Sequence, residues 1–223
     1  METIKAYAKV NLDLKVSKPS KNGYHKIKSN MVLVEDLFDE IRIEKSSRDS
    51  FECNIKDLEK SNFILIVMDI LKRNGYINDK YKIVLHKNIP VGSGLGGGSS
   101  DAVAIANYFL GRNKAKKIRR EICKAIGFDT FFFMKGYSSA FVKGFGQKIK
   151  KTELKLIKKE QLIFTDVNCE TKAVYKHFDE IQGWKSKEKN QLTQAAIELY
   201  PQLKEFSKNY SMSGSGSTFF KEK

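Results

Sequence analysis

The chain has 223 residues, 41% of them hydrophobic and 30% charged, and its 41 Lys and Arg against 26 Asp and Glu give a formal charge of +15. This is a globular composition with enough chain for one large domain or two small ones. No apolar run reaches the roughly 18 residues of a membrane helix and the first residues lack the apolar stretch of a signal peptide, so a cytoplasmic protein is expected. The charge excludes little beyond cationic partners: it favours polyanions, either nucleotides and phosphorylated metabolites or nucleic acid. Cys53, Cys123 and Cys169 are odd in number and far apart, with no CxxC pair or ligand spacing, which predicts reduced thiols rather than disulfides or a metal cage.

In chain order, residues 3–16 carry Ile4, Ala6, Ala8, Val10, Leu12, Leu14 and Val16 at every second position, the period of a strand; Lys9, Asn11 and Asp13 fall on the opposite face. A turn-rich loop with Pro19 and Asn22-Gly23 follows. Apolar runs at 31–34 and 39–44 predict two more strands. Residues 62–73 repeat at helical spacing and stop at Asn74-Gly75, and a strand from Tyr81 delivers the chain to Pro90. Helices are expected over 102–110, ended by Gly111, and over 117–126. Residues 137–149 suggest hairpin strands, 161–166 a strand, and 171–177, 190–199 and 202–206 helices. A composition shift near 150 divides the chain into domains at 1–149 and 150–223. The densest basic run begins at Lys114, and no nucleic-acid motif accompanies it.

Residues 90–101 stand out. Five glycines, Gly92, Gly94, Gly96, Gly97 and Gly98, fall within seven positions directly ahead of an apolar helix that Ser99 or Ser100 would cap. Glycine tolerates positive φ and lets an anion reach the bare backbone, and a helix starting here aims its unpaired N–H groups at the same spot. A Walker loop is excluded because Ser99, not Lys, follows the last glycine. A dinucleotide fingerprint would sit near the N-terminus with an acidic residue about 20 positions on. A mere linker would not have apolar flanks on both sides.

Three separated pieces, Ala8-Lys9-Val10-Asn11-Leu12, the Pro-x-Gly-x-Gly-Leu-Gly-Gly-Gly-Ser-Ser loop at 90–100 and the terminal Ser213-Gly214-Ser215-Gly216, together resemble the GHMP kinase superfamily. Asn22-Gly23-Tyr24-His25 is similar to those members that phosphorylate a cytidine-diphospho sugar alcohol on the non-mevalonate route to isoprenoids. The resemblance implies an α+β, two-domain fold: an N-terminal domain like the second domain of ribosomal protein S5 and a ferredoxin-like C-terminal one. It also implies a small-molecule kinase that uses ATP and Mg²⁺, without nucleic acid or membrane partners. Carried over by position, Pro90, Gly92, Gly94, Leu95, Gly96, Gly97, Gly98, Ser99 and Ser100 cradle the ATP phosphates, and Asn62 and Lys87 lie near the nucleoside. Asp129, in a segment where the family has Pro at the position of Phe131, is the catalytic carboxylate with Lys9 as its basic partner. Asn11, Tyr24, His25, Tyr175, Gly214 and Ser215, with Asp129, contact the acceptor; no metal ligand is assigned.

The types fit the chemistry, since phosphoryl transfer needs an aligned hydroxyl and neutralisation of spreading negative charge. A carboxylate near its reference pKa of about 3.9 orients an alcohol better than it deprotonates it early. Two alternatives remain from the sequence: a sister kinase for homoserine, mevalonate or a sugar, in which Tyr24 only closes a hairpin, and a non-catalytic RNA-binding module using the +15 charge.

Overall fold

The computed structural model describes residues 1–21, 23–111 and 115–221. Asn22 of the predicted turn and Lys114 of the basic run lie outside them. In chain order the elements are β1 (Glu2–Asn11), β2 (Lys15–Pro19), β3 (His25–Ser46), β4 (Ser50–Cys53), α1 (Phe63–Arg73), β5 (Lys80–His86), α2 (Gly97–Leu110), α3 (Lys116–Ile126) and α4 (Asp129–Lys135). They continue as β6 (Ser139–Gly144), β7 (Lys148–Lys151), β8 (Leu162–Ile163), α5 (Thr171–Glu180), α6 (Thr193–Leu199), α7 (Lys204–Ser207), β9 (Ser211–Met212) and β10 (Phe219–Phe220). The fold is mixed α+β.

Two compact units are interleaved along the chain: one comprises Met1–Ala8, Leu37–Ile89 and Gly97–Gly136, the other Lys9–Asp36, Pro90–Gly96 and the chain from Tyr137 on. In the first, the C-terminal part of β3 pairs antiparallel with β5 in the register Ile41↔Leu85 and Ile43↔Ile83, and β4 lies parallel to β5. The alternating apolar side chains of these strands share one core with Ile64, Val67 and Leu71 of α1, Ala102, Ile105 and Ala106 of α2, and Ile118 and Ile122 of α3. Asn62 caps α1, its Oδ1 accepting from Leu65 N at 3.1 Å, and Gly111 closes α2 at φ +64°, as an αL terminator does.

In the second unit the N-terminal part of β3 pairs with β2 and with β6, in the register Met31↔Ala140, and β6 pairs with β7. A small sheet of order β8-β10-β9 closes the chain.

Three boundaries differ from the sequence expectation. Residues 25–44 form one strand, not two, since the chain stays in strand conformation between Val34 and Asp39. Residues 3–16 form two strands, because Asp13 leaves the pleat: its carboxylate accepts from Asn30 N and Asn30 Nδ2 at 2.7 and 2.6 Å. Helix α2 begins at Gly97, so Ser99 and Ser100 lie inside its first turn and do not cap it. All three cysteines are free and buried. Among the described residues no helix is long and apolar enough to cross a membrane.

Candidate active site

In the second unit the Gly loop is held by its carbonyls. Gly92 O accepts from Cys169 N at 3.3 Å, Ser93 O from Thr218 N at 3.1 Å and Leu95 O from Lys9 N at 2.9 Å. Gly94 O accepts from Lys9 Nζ at 2.8 Å and from Ser213 Oγ at 3.1 Å. Ser93 and Leu95 are buried while Gly92, Gly94 and Gly96 are half-exposed, at φ of +67°, +73° and +72°. Among the described residues, the amides of Gly94, Leu95 and Gly96 donate no hydrogen bond. A backbone anchored by four consecutive carbonyls with its amides unspent is built to receive an anion.

The anchors form a buried polar network. Lys9 and Asn11, both 2% exposed, are joined through Lys9 Nζ and Asn11 Oδ1. Asn11 Nδ2 donates to Ser29 Oγ at 2.9 Å, and Asn11 N to Ser213 Oγ at 3.2 Å. The terminal Ser-Gly-Ser-Gly loop is gripped from behind by Asn190, whose Nδ2 donates to Met212 O and Gly214 O, both at 2.8 Å. Thr171 Oγ1 and Ser215 Oγ lie 3.0 Å apart, linking the first residue of α5 to that loop. The structure thus brings Lys9, Asn11, Gly94, Gly214 and Ser215 together. Ser29 and Asn190 were missed, since a lone Ser or Asn gave no signal of its own, and Ser213 had been named only as part of the terminal motif.

Two further residues expected to contact the acceptor also meet within this unit. The His25 and Tyr175 rings are 5.1 Å apart, and Phe178 and Trp184 extend the group. His25 Nε2 lies 2.8 Å from Asp179 Oδ1, which fixes the imidazole and leaves its other nitrogen defined. Tyr24 is 55% exposed. Phe178 and Asp179 lie beyond the helix expected over 171–177 and were missed.

In the first unit the loop continues into α2. Gly98 lies against Phe63, so close that an added Cβ would stand 3.1 Å from the ring, and Gly97 stands over Lys87 Nζ, where a Cβ would come within 3.0 Å. Lys87, expected near a nucleoside, commits its ammonium to the carboxylates of Asp39 and of Asp101, the latter at 2.8 Å. Its burial disfavours the charge, but the attraction of Asp101 and Asp39 outweighs this and raises its pKa. Burial pushes the Asp101 carboxyl up to about 7. Asp129 opens α4, half-buried, after Gly127 at φ +140°, and Phe131 is half-buried in the same helix. Asn62 spends both ends of its amide at the start of α1, donating to Leu58 O at 2.6 Å as well as capping.

Comparison with known proteins fits this geometry. Residues 62–137 match the model of the GHMP kinases N terminal domain. A 4-diphosphocytidyl-2-C-methyl-D-erythritol kinase of Campylobacter jejuni is 33% identical over 98% of this chain and 99% of its own, and one of a Sulfurovum species is 32% identical over the full length of both. Among solved structures, a 4-(cytidine 5'-diphospho)-2C-methyl-D-erythritol kinase matches with a TM-score of 0.73 at 25% identity, covering 98% of this chain and 89% of that one. A homoserine kinase from Cytophaga hutchinsonii, 17% identical, shares the fold with a TM-score of 0.61 over 99% and 84%. The fold and loop therefore define a GHMP kinase, a class that draws on ATP, and within it the chain belongs to the 4-diphosphocytidyl-2-C-methyl-D-erythritol kinase family.

Proposed function

We propose that this protein is a cytoplasmic, ATP-dependent kinase that phosphorylates the 2-hydroxyl of 4-diphosphocytidyl-2-C-methyl-D-erythritol, in the non-mevalonate route to isoprenoid precursors. The supporting observation is the Gly loop with its carbonyls turned into the protein, a lysine ammonium bonded to one of them and its amides unspent, in a chain whose full-length relatives carry that name.

The loop from Pro90 and Gly92 to Ser100 receives the ATP phosphates, with the half-exposed glycines allowing backbone approach. Asn62 and Lys87 build the nucleoside side of that cradle as parts of its wall, since their polar atoms already have partners. Lys9 adds positive charge where negative charge spreads over the transferred group, and Asp129 aligns the acceptor hydroxyl and takes its proton late. His25 and Tyr175, with Tyr24, hold the cytosine by stacking and edge contacts, while Asn11, Gly214 and Ser215 line the acceptor. Mg²⁺ bound with the nucleotide would supply positive charge to its phosphates and would need few protein ligands.

Coupled ADP release measured with four acceptors, the cytidine-diphospho sugar alcohol, homoserine, mevalonate and galactose, tests this. Turnover is expected with the first alone, and Asp129→Asn is expected to lower kcat by about 10²–10⁴. Equal turnover with another acceptor would overturn the substrate assignment, and unchanged turnover in Asp129→Asn would overturn the role of that carboxylate.

A further inference from the structure

Beneath the first turn of α2 lie three ionisable side chains whose number does not balance. Lys87, Asp39 and Asp101 are 4%, 0% and 4% exposed. With both carboxyls ionised they would leave one negative charge buried without compensation, which is strongly unfavourable. Hydrogen bonding separates the two acids. Asp39 Oδ1 accepts from Asn88 N at 2.6 Å and Ile89 N at 2.8 Å, and its Oδ2 accepts from Lys87 Nζ. Asp101 receives Lys87 Nζ on Oδ2 alone, and its buried Oδ1 has no partner among the described residues. An ionised carboxylate can only accept, so an orphaned oxygen at this depth is explained if it carries a proton and donates it. Both carboxyls bind Lys87 Nζ, which sets the Asp39 carboxylate beside Asp101 as the group to take it.

We propose that Asp101 is held as a carboxylic acid hydrogen-bonded to Asp39, and that the resulting neutral trio with Lys87 is a positioning device. It seats the turn of α2 that carries Gly97, Gly98, Ser99 and Ser100, and keeps negative charge out from under the amides that meet the nucleotide phosphates. The second half rests on reading the Gly loop as the phosphate cradle. Gly97 is the point of contact: a Cβ there would stand 3.0 Å from both Lys87 Nζ and the Ile89 side chain, so one of them would have to give way.

The direction of the pH dependence follows. Burial, then the neighbouring Asp39, raises the Asp101 pKa, with Lys87 opposing, to about 7 against an ordinary 3.8. The folded protein therefore holds a proton between those values that the unfolded chain has lost, and stability attributable to this group falls as pH rises through that window. Other groups face the trio. Cys53 on β4 interacts with Lys87 and Asp101 and, from the turn before α1, with Glu59; its thiol is pushed up by burial and stays neutral throughout. Lys87, also raised, loses its charge only above its ordinary 10.5.

Two measurements on the full chain decide the matter. Carbon-13 NMR of the Asp carboxyls in the nucleotide-free protein is expected to show one resonance, absent in Asp101→Asn, titrating near neutrality; titration in the ordinary carboxylate range would overturn the proposal. The KM for ATP should then rise by about fivefold more in the wild type than in Asp101→Asn between pH 6 and 8, the size of one charge near a helix N-terminus, with kcat shifting alike in both. The comparison cancels the titration of ATP itself. Asp101→Asn, which mimics the neutral acid, should match the wild-type KM at pH 6 and stay about fivefold below it at pH 8, whereas Asp101→Ala should raise it at both. Parallel KM profiles for wild type and Asp101→Asn would refute the charge argument even if the carboxyl titrates high. No binding of ATP at any pH would instead remove the kinase reading and the phosphate half with it, while the carboxyl titration would still decide the protonation.

Discussion

Gly94→Ala should damage the phosphate loop far more than Gly98→Ala, although the two glycines are four residues apart in one motif. At Gly94 the backbone sits at φ +73°, and a Cβ would stand 2.3 Å from Ser213 O and 2.8 Å from Gly216 O. Both obstacles are backbone, and Asn190 fixes the neighbouring Met212 and Gly214 carbonyls, so the loop has to move. The left-handed conformation costs an alanine about 1–2 kcal/mol and the overpacking about 1–3 kcal/mol, a combined loss of roughly 2–5 kcal/mol. The Gly94 carbonyl would pull away from Lys9 Nζ and Ser213 Oγ, releasing the anchor of the cradle. At Gly98 the obstacle is the Phe63 ring, 3.1 Å from the added carbon, on a side chain 38% exposed that has room to turn aside. There alanine gains about 1 kcal/mol of helix propensity over glycine. Thermal unfolding with ATP titration reads both effects: Gly94→Ala should lose roughly 5–15 °C in Tm, at about 2–4 °C per kcal/mol for a chain of this size, and weaken ATP at least about tenfold. Gly98→Ala should keep or gain Tm while weakening ATP by crowding the approach to its amide. A Gly94→Ala protein with wild-type Tm and ATP affinity would refute the anchored-carbonyl argument.

Lys9→Met removes the ammonium bonded to Gly94 O and is expected to cut kcat by about 10²–10³, the usual loss for one aligned transition-state donor, with circular dichroism confirming the fold; a kcat within threefold of wild type would make Lys9 structural. Asn190→Ala leaves the buried Met212 and Gly214 carbonyls unmatched at about 1–3 kcal/mol each, so urea unfolding should show a loss of at least ~2 kcal/mol and the acceptor KM should rise. His177, bonded to Glu180 and Glu198 at 2.9 and 2.7 Å, has its pKa raised by those carboxylates. Its contribution to stability is full below the ordinary 6.5 and is lost as pH climbs through the higher folded value. Tm measured from pH 6 to 9 should decline more steeply in the wild type than in Glu198→Gln, by an amount kept small by the exposure of the pair.

What the sequence disclosed and what it hid follow from how each residue is coupled to its neighbours. The Gly loop was legible because five glycines ahead of an apolar helix have few conformational uses, and β1, α1 and α2 because periodicity is local. The supports of the loop were not. Lys9 and Gly94 are 85 residues apart, Lys87 and Asp39 are 48 apart and Lys87 and Asp101 are 14 apart, and no local pattern announces a pairing made by tertiary structure.

The clearest case is the face of β1 opposite its apolar alternation. By periodicity alone Lys9 and Asn11 belong in solvent, yet both are 2% exposed. Charge buried in a strand is costly unless other groups absorb it, and here the absorbing groups are the Gly94 carbonyl and the Asn11 amide, themselves tied to Ser29 and Ser213. The same logic operates in the first unit, where Asp39 balances the charge of Lys87 at similar depth and a proton on Asp101 would remove the surplus negative charge. In both places a polar residue that breaks the period of its element is supported by a network whose other members read as unremarkable. A break in binary pattern is therefore the local trace of a long-range polar network, and the residue that breaks it is the one to mutate first.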